Sequence, residues 1–510
     1  MSRIERAKKN IIFGYVGNIV LLLMQFLSRT IFISFLGVAY LGVNGLYTNV
    51  LSVLSLADLG IATAMNYSLY KPVAAQDVHM IKKLMQYYRK AYLYIALAIA
   101  VLGLAIVPFI SLIVKNPGTI TTSELTIYYL IFLFNTVTSY FVAYKYSLIN
   151  AEQKNYIQTN IHTLTTVITV VSQIIVLFVY KSFLAFLIIG AVIGLFQKIF
   201  VNLYLNKLYP YLLEKNIDSL TEKEKEPIRS NIKALIYHKI GTISIYQTDN
   251  IVISTFINVA TVGLISNYNM IMASVNGFIN ILFNSVISGF GNLIASESID
   301  RQYLVFKAYR FLGFWVYGFS TIAFYVLINP FIELWIGKEM LISQAVVILI
   351  LINYYFMGQR IVVGNFKTAA GIFEDDKYIA IIQAIVNLVI SVILVQSMGL
   401  IGVYIGTIVS GLISTLSKPF IVYRRAFNRS GIDYYKDSAV YLLAIMIAIA
   451  LIQIVQVSFF SQVNWFNFII LMGLVVLVPN LLFLAAFNKR DEFTYLYEIF
   501  GRKMLGRIKS

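Results

Sequence analysis

Cysteine is absent from the 510 residues. Structural disulfides, thiolate nucleophiles and Cys-based metal sites are therefore excluded. Charge is scarce as well: 12% of residues are Asp, Glu, Lys or Arg, about half the share in a soluble domain. Acidic residues are the scarcer sign, 23 against 40 basic ones. The three histidines are scattered, and no HExxH or His/Asp cluster suggests a metal. No GxxxxGK[ST] or GxGxxG stands in a strand-to-helix context, so nothing points to nucleotide hydrolysis. No cofactor is implied.

What remains is apolar. The chain is 59% hydrophobic with mean hydropathy +0.79. Runs of roughly 18 or more apolar residues recur throughout, which predicts an all-α polytopic membrane protein. A β-barrel would show strands of about ten residues alternating in polarity. Met1–Asn10 is basic, but the run after it is too long for a signal-peptide core and lacks a small-residue cleavage site. The chain reads as about 14 transmembrane helices, beginning near Ile11, Tyr40, Ala91, Leu125, Ile157, Phe183, Ala234, Val262, Phe311, Leu341, Tyr378, Leu400, Ala439 and Phe466.

The net charge of +17 has a topological reading rather than a nucleic-acid one. Lys and Arg accumulate on cytoplasmic loops. Here they fill the N-terminus, every even-numbered loop and the C-terminal tail. The odd loops hold only Lys115, Lys181 and Lys338. Both termini are thus expected in the cytoplasm. The outward loops are too short for an extracytoplasmic catalytic domain.

Two stretches repeat. Arg29–Tyr47 and Asp249–Tyr268 align with Ile31 and Ser34 on Ile251 and Ser254. One inserted residue later, Val38, Ala39, Gly42 and Tyr47 fall on Val259, Ala260, Gly263 and Tyr268. Both copies start inside and run outward, so they are parallel repeats about an axis along the membrane normal. This predicts two six-helix lobes, 1–208 and 234–428. A charged cytoplasmic linker, 209–233, joins them, and 429–510 adds two accessory helices and a basic tail.

Polar residues within spans are costly and mark functional faces. Asn18, Gln25 and Arg29 share one face of the first span, and Asp249 lies on one face of the seventh with His238, Thr242 and Tyr246. Asp58 is near the centre of the second. The eighth carries an amide stripe of Asn269, Asn276, Asn280, Asn284, Ser288 and Asn292. Arg360, Gly364 and Lys367 share a face of the tenth with Asn353. Lys145 and Lys198 add charge to the fourth and sixth. The candidate substrate-binding set is Arg29, Asp58, Lys145, Lys198, Asp249, Asn276, Asn280, Asn284 and Arg360. Basic groups match phosphate, and amides and hydroxyls match sugars. The bland alternatives are helix–helix glue for the amides and snorkelling for Lys145 and Lys367. The repeat also sets Arg29 opposite Asp249, an expected charge pair; Asp58 is the competing partner for Arg29.

Three stretches carry a resemblance: Arg29–Tyr47, Leu54-Ser-Leu-Ala-Asp-Leu-Gly-Ile-Ala62 running on to Tyr70-Lys-Pro72, and Tyr246-Gln-Thr-Asp-Asn-Ile-Val-Ile-Ser254. With the duplicated lobes, the chain resembles the multidrug/oligosaccharidyl-lipid/polysaccharide exporter superfamily, and within it the polysaccharide transporter (Wzx-type flippase) branch. The resemblance implies an inverted V of two lobes. It implies a flippase moving undecaprenyl-diphosphate-linked sugar units across the cytoplasmic membrane, for capsule, exopolysaccharide or O-antigen. Membrane lipids, a polysaccharide polymerase and export machinery are the implied partners, and no enzymatic activity is implied. It carries over Arg29, Asp58 and Asp249 as cavity charges. Two alternatives stand beside it. One is a cation-coupled multidrug antiporter using Asp58 and Asp249. The other is a flippase for a peptidoglycan precursor or teichoic-type unit.

Overall fold

The computed structural model describes the backbone of residues 3–55, 61–214, 217–372, 374–376, 378–459 and 462–508. Among them the secondary structure is helical throughout. In chain order the helices are α1 (Arg3–Leu36), α2 (Val38–Leu54), α3 (Ile61–Ala74), α4 (Val78–Ile106), α5 (Ile110–Ile113), α6 (Thr122–Ala151), α7 (Asn155–Tyr180), α8 (Phe183–Leu208) and α9 (Glu222–Phe256). Then follow α10 (Val259–Asn284), α11 (Ile287–Ser296), α12 (Ile299–Ile336), α13 (Gln344–Ala369), α14 (Ile379–Met398), α15 (Leu400–Phe427), α16 (Ile432–Phe459), α17 (Trp465–Phe487) and α18 (Asp491–Ile508).

Among the described residues, twelve stretches are long and apolar enough to cross a membrane: α1 from Lys9, α4 with α5, α6, α7, α8, α10 with α11, and α12 to α17. This is a multi-pass membrane protein. The other two expected spans, near Tyr40 and Ala234, correspond to α2 and α9. The first is apolar but only 17 residues long. The second begins in the charged run Glu222–Pro227, which makes its opening turns polar.

Local chemistry sets where helices begin. Thr121 and Glu124 form a reciprocal capping box at the start of α6, and Asp77 caps α4 through Met80 N. Each satisfies orphan N–H groups of a first turn. Ser298 does the same for α12.

By proximity the chain divides into two compact units, Met1–Ser266 and Asn267–Ser510. This division and the sequence repeat measure different things. The repeat concerns equivalence of segments; the units concern which helices touch.

In the first unit α7 packs on α1 and α8, α6 on α4 and α8, and α2 on α9. The N-terminal turn of α10 also belongs here, and its backbone meets α2. A Cβ placed on Gly42 would lie 1.9 Å from the Val259 carbonyl oxygen, and one on Gly263 would lie 2.3 Å from that of Val38. The contact is reciprocal, because Val38 and Gly42 are the residues that align with Val259 and Gly263. Only glycine lets the backbones approach so closely. Ser254 Oγ donates to Ile113 O (2.7 Å), and Val259 N donates to Lys115 O (3.2 Å), which pins the turn between α9 and α10.

In the second unit α12 is the central post. It packs against α13, α15, α16, α17 and α18. Arg310 on α12 is 1% exposed. Its guanidinium donates to Ser438 Oγ (2.8 Å), Asp437 Oδ2 (3.3 Å) and the Tyr434 carbonyl, and lies 3.8 Å from the Tyr434 ring centre. Asp437 also accepts from Arg490 (3.1 Å). The sequence pattern puts Arg310 in a cytoplasmic loop. The structure places it in a helix that starts 12 residues before the apolar run, so the charge is packed and not solvated. The hairpin α14–α15 is joined by polar contacts. Gln383 Nε2 donates to Ser410 O (2.8 Å) and Ser414 Oγ (3.0 Å), and Asn387 Nδ2 donates to Thr407 Oγ1 (3.3 Å). The accessory helices α16 and α17 pack on α12 and leave Leu443, Ile454, Val476 and Leu481 exposed.

Candidate functional site

Lys145 of α6 is 3% exposed. Its ammonium donates to Asn202 Oδ1 and Asn206 Oδ1 on α8, both at 2.5 Å. Lys198 of α8 answers in the other direction, donating to Thr138 Oγ1 (2.7 Å) and Asn135 O (3.0 Å) on α6. Arg360 of α13 donates through Nη1 to Gly411 O (3.1 Å) and Thr415 Oγ1 (3.2 Å) on α15. The same chemistry recurs three times. Amide, hydroxyl and carbonyl oxygens satisfy the donors, but they are neutral and leave the positive charge in place. In a low-dielectric medium such a charge attracts an anion strongly.

Arg29 of α1 donates to Ser266 Oγ at 2.6 Å. With Gln25 and Ser28 it lines a cavity of about 430 Å³ inside the first unit. α2 contributes Leu41 and Asn44, α7 contributes His162, Thr166 and Val170, and α8 contributes Phe186. Gln25 and Arg29, which helical spacing puts on one face, both line the cavity. His162 is among the lining residues although a lone histidine gives no such signal in the sequence. A second cavity, of about 360 Å³, opens where α4 meets the start of α9, with Lys83, Lys90, Lys225 and Arg229 around it. Glu222 holds Lys225 (2.7 Å) and Arg229 (2.9 Å).

Asp249 is half-buried on α9. Asp58 lies outside the described residues, as do the side chains of His238, Thr242 and Tyr246. The amide stripe runs along α10 and into α11, separated by a break near Ser285. Asn276 and Asn280 are half-buried; Asn269, Asn284 and Asn292 are exposed. Asn284 Oδ1 accepts from Asn365 Nδ2 on α13 at 3.4 Å. Asn276 Oδ1 is buried with no hydrogen-bond partner among the described residues.

The residues fall in separate groups. Lys145 and Lys198 bridge α6 and α8, Arg29 faces a cavity in the same unit, and Arg360 belongs to the second unit. Sequence reasoning missed the acceptors Asn202, Asn206 and Ser266, and it missed Lys418 on α15. An intramembrane lysine two turns before Arg424 and Arg425 was the available signal.

Among solved structures, the lipid II flippase MurJ in an inward closed conformation superposes with a TM-score of 0.68 at 15% identity. The match covers 94% of this chain and 99% of that one. The fold is that of MurJ. An inward-facing multidrug resistance MATE family transporter of the MOP superfamily matches with a TM-score of 0.60 at 14% identity, over 78% of this chain and 92% of that one. An outward-facing MATE structure gives 0.52 at 14% identity, over 80% and 93%. No family model matches the chain. No curated protein matches it either.

Proposed function

We propose that this protein is a flippase of the MOP superfamily that moves a lipid-linked oligosaccharide across the bacterial cytoplasmic membrane. Its cargo is an undecaprenyl-diphosphate-linked repeat unit for a capsule, exopolysaccharide or O-antigen-type polymer, and it works by alternating access. One observation carries the reading: Lys145, Lys198 and Arg360 lie within membrane helices and are held by neutral oxygens. A cation kept charged in the bilayer suits an anionic cargo. Phosphate is matched by a guanidinium fork and by lysine. The half-buried amides of α10 offer paired donors and acceptors for sugar hydroxyls.

The test is genetic. Loss of surface polymer on deletion, and loss of complementation by an Arg360→Ala, Lys198→Ala double variant, are the expected results. Full export by the double variant would sink the assignment of these cations.

The likeness to MurJ supports a neighbouring reading, a flippase for the peptidoglycan precursor. Rescue of a strain depleted of its own lipid II flippase separates that reading from polymer export. A multidrug antiporter is supported by the likeness to MATE transporters and by the half-buried Asp249. Drug sensitivity of the deletion strain, with surface polymer unchanged, would select it.

A further inference from the structure

The second unit contains a group of charges that the candidate set does not include. α13 and α15 run in the same direction, because α14 returns the chain between them. On α13, Lys367 stands two turns beyond Arg360. On α15, Lys418 stands two turns beyond Gly411 and three residues beyond Thr415, the two groups that hold Arg360. The two rows therefore face each other. Lys418 is half-buried, and its charge interacts with those of Asp376, Lys367 and Arg360. It has no hydrogen-bond or ion-pair partner among the described residues.

The loop after α13 supplies carboxylates to this place. Asp376 Oδ1 lies 2.5 Å from Lys367 Nζ, and the two side chains are 9% and 4% exposed. Asp375 Oδ1 lies 2.6 Å from Arg425 Nη2. The pairs Lys367–Asp376 and Arg425–Asp375 are each neutral. Arg360 and Lys418 have no carboxylate partner among the described residues, and neither does the exposed Arg424 further along α15. Arg360 uses only Nη1 on its neighbours, so Nε and Nη2 have no partner among the described residues. Gly411 permits that position, since a Cβ there would come 2.7 Å from Arg360 Nη1.

We propose that Arg360 and Lys418 form a docking site for a diphosphate group, with Asp376 as its exchangeable counter-ion. The proposal rests on the flippase reading for its cargo and deepens it. A diphosphate diester carries two negative charges at neutral pH, which matches the two cations. Its oxygens also fit the guanidinium edge that Arg360 keeps free. When the site is empty, the Asp376 carboxylate, held by Lys367, is an anion whose charge acts on Lys418. Entry of the diphosphate displaces the Asp376 carboxylate from the cations.

The experiment uses the purified full-length chain in detergent, with farnesyl diphosphate as the probe. Arg360→Gln and Lys418→Gln each weaken binding by roughly tenfold or more, the size of one charge-assisted hydrogen bond. Lys418→Arg keeps wild-type affinity, which separates a lost charge from a lost fold. Asp376→Asn tightens binding about fivefold, because the competitor is gone. Inorganic pyrophosphate competes with the probe, and farnesyl monophosphate binds more weakly. Unchanged affinity in Lys418→Gln, or no gain in Asp376→Asn, overturns the proposal. So does failure of pyrophosphate to compete, which would place the affinity in the prenyl tail. Polymer export is not the readout, so a chain that binds through these residues yet exports nothing fails the transport reading alone.

Discussion

Lys145 and Lys198 reach across the same pair of helices in opposite directions, and neither meets a carboxylate among the described residues. Removing a charge that lacks an ionic partner strands no opposite charge. Lys145→Met and Lys198→Met should therefore leave stability within about 1 kcal/mol of wild type or raise it, while export falls; thermal unfolding in detergent and polymer export measure the two effects. Arg310 is the contrast. It is buried against Asp437, so Arg310→Met should cost about 3–5 kcal/mol, seen as a large loss of thermal stability; retained stability would show that Arg490 alone neutralises Asp437. Glu492 on α18, outside the membrane spans, adds a pH dependence. Burial works against its charge, but the hydrogen bond and charge of Lys307, with Arg490 nearby, outweigh it and hold the carboxyl below its ordinary value. A lowered folded-state pKa means the contribution is present above the ordinary carboxylate range and is lost as pH falls through the lowered value. Acid destabilisation should shrink in Glu492→Gln. The sequence makes intramembrane charges visible because they interrupt apolar runs. Their acceptors were not legible, since Asn202 and Asn206 become partners only once the rotation of α8 against α6 is known.

At the scale of elements the α2–α10 crossing depends on two glycines. Adding a methyl at either position drives it into a backbone carbonyl, which cannot step aside as a side chain can. Gly42→Ala and Gly263→Ala should each cost roughly 1–3 kcal/mol, measured by thermal unfolding. Gly45→Ala and Gly277→Ala are the controls: Gly45 has only Val262 Cγ1 at 3.7 Å and Gly277 has nothing within 4 Å. Equal effects at all four positions would remove the special role of the crossing. The repeat alignment already paired Gly42 with Gly263, yet equivalence in sequence says nothing of touching. That the two equivalents meet is a fact of packing. The long helices were legible from their apolar runs. The true start of α12 was not, because Ile299–Arg310 is charged and reads as a loop until its face is seen to pack on α16 and α18.

For the molecule as a whole, the apolar runs gave twelve of the expected crossings directly, and two came as a short α2 and a polar-headed α9. Topology is open to a clean test because the chain has no cysteine. A single cysteine at Lys338 should react with an impermeant maleimide in intact cells, and one at Lys223 only after permeabilisation. The reverse pattern would invert the orientation and move the basic inner halves of α13 and α15 to the wrong leaflet. In the reciprocal glycine crossing each helix offers the other the same patch, as identical subunits do across a twofold axis. A substitution on either side of it therefore meets a partner surface of the same make.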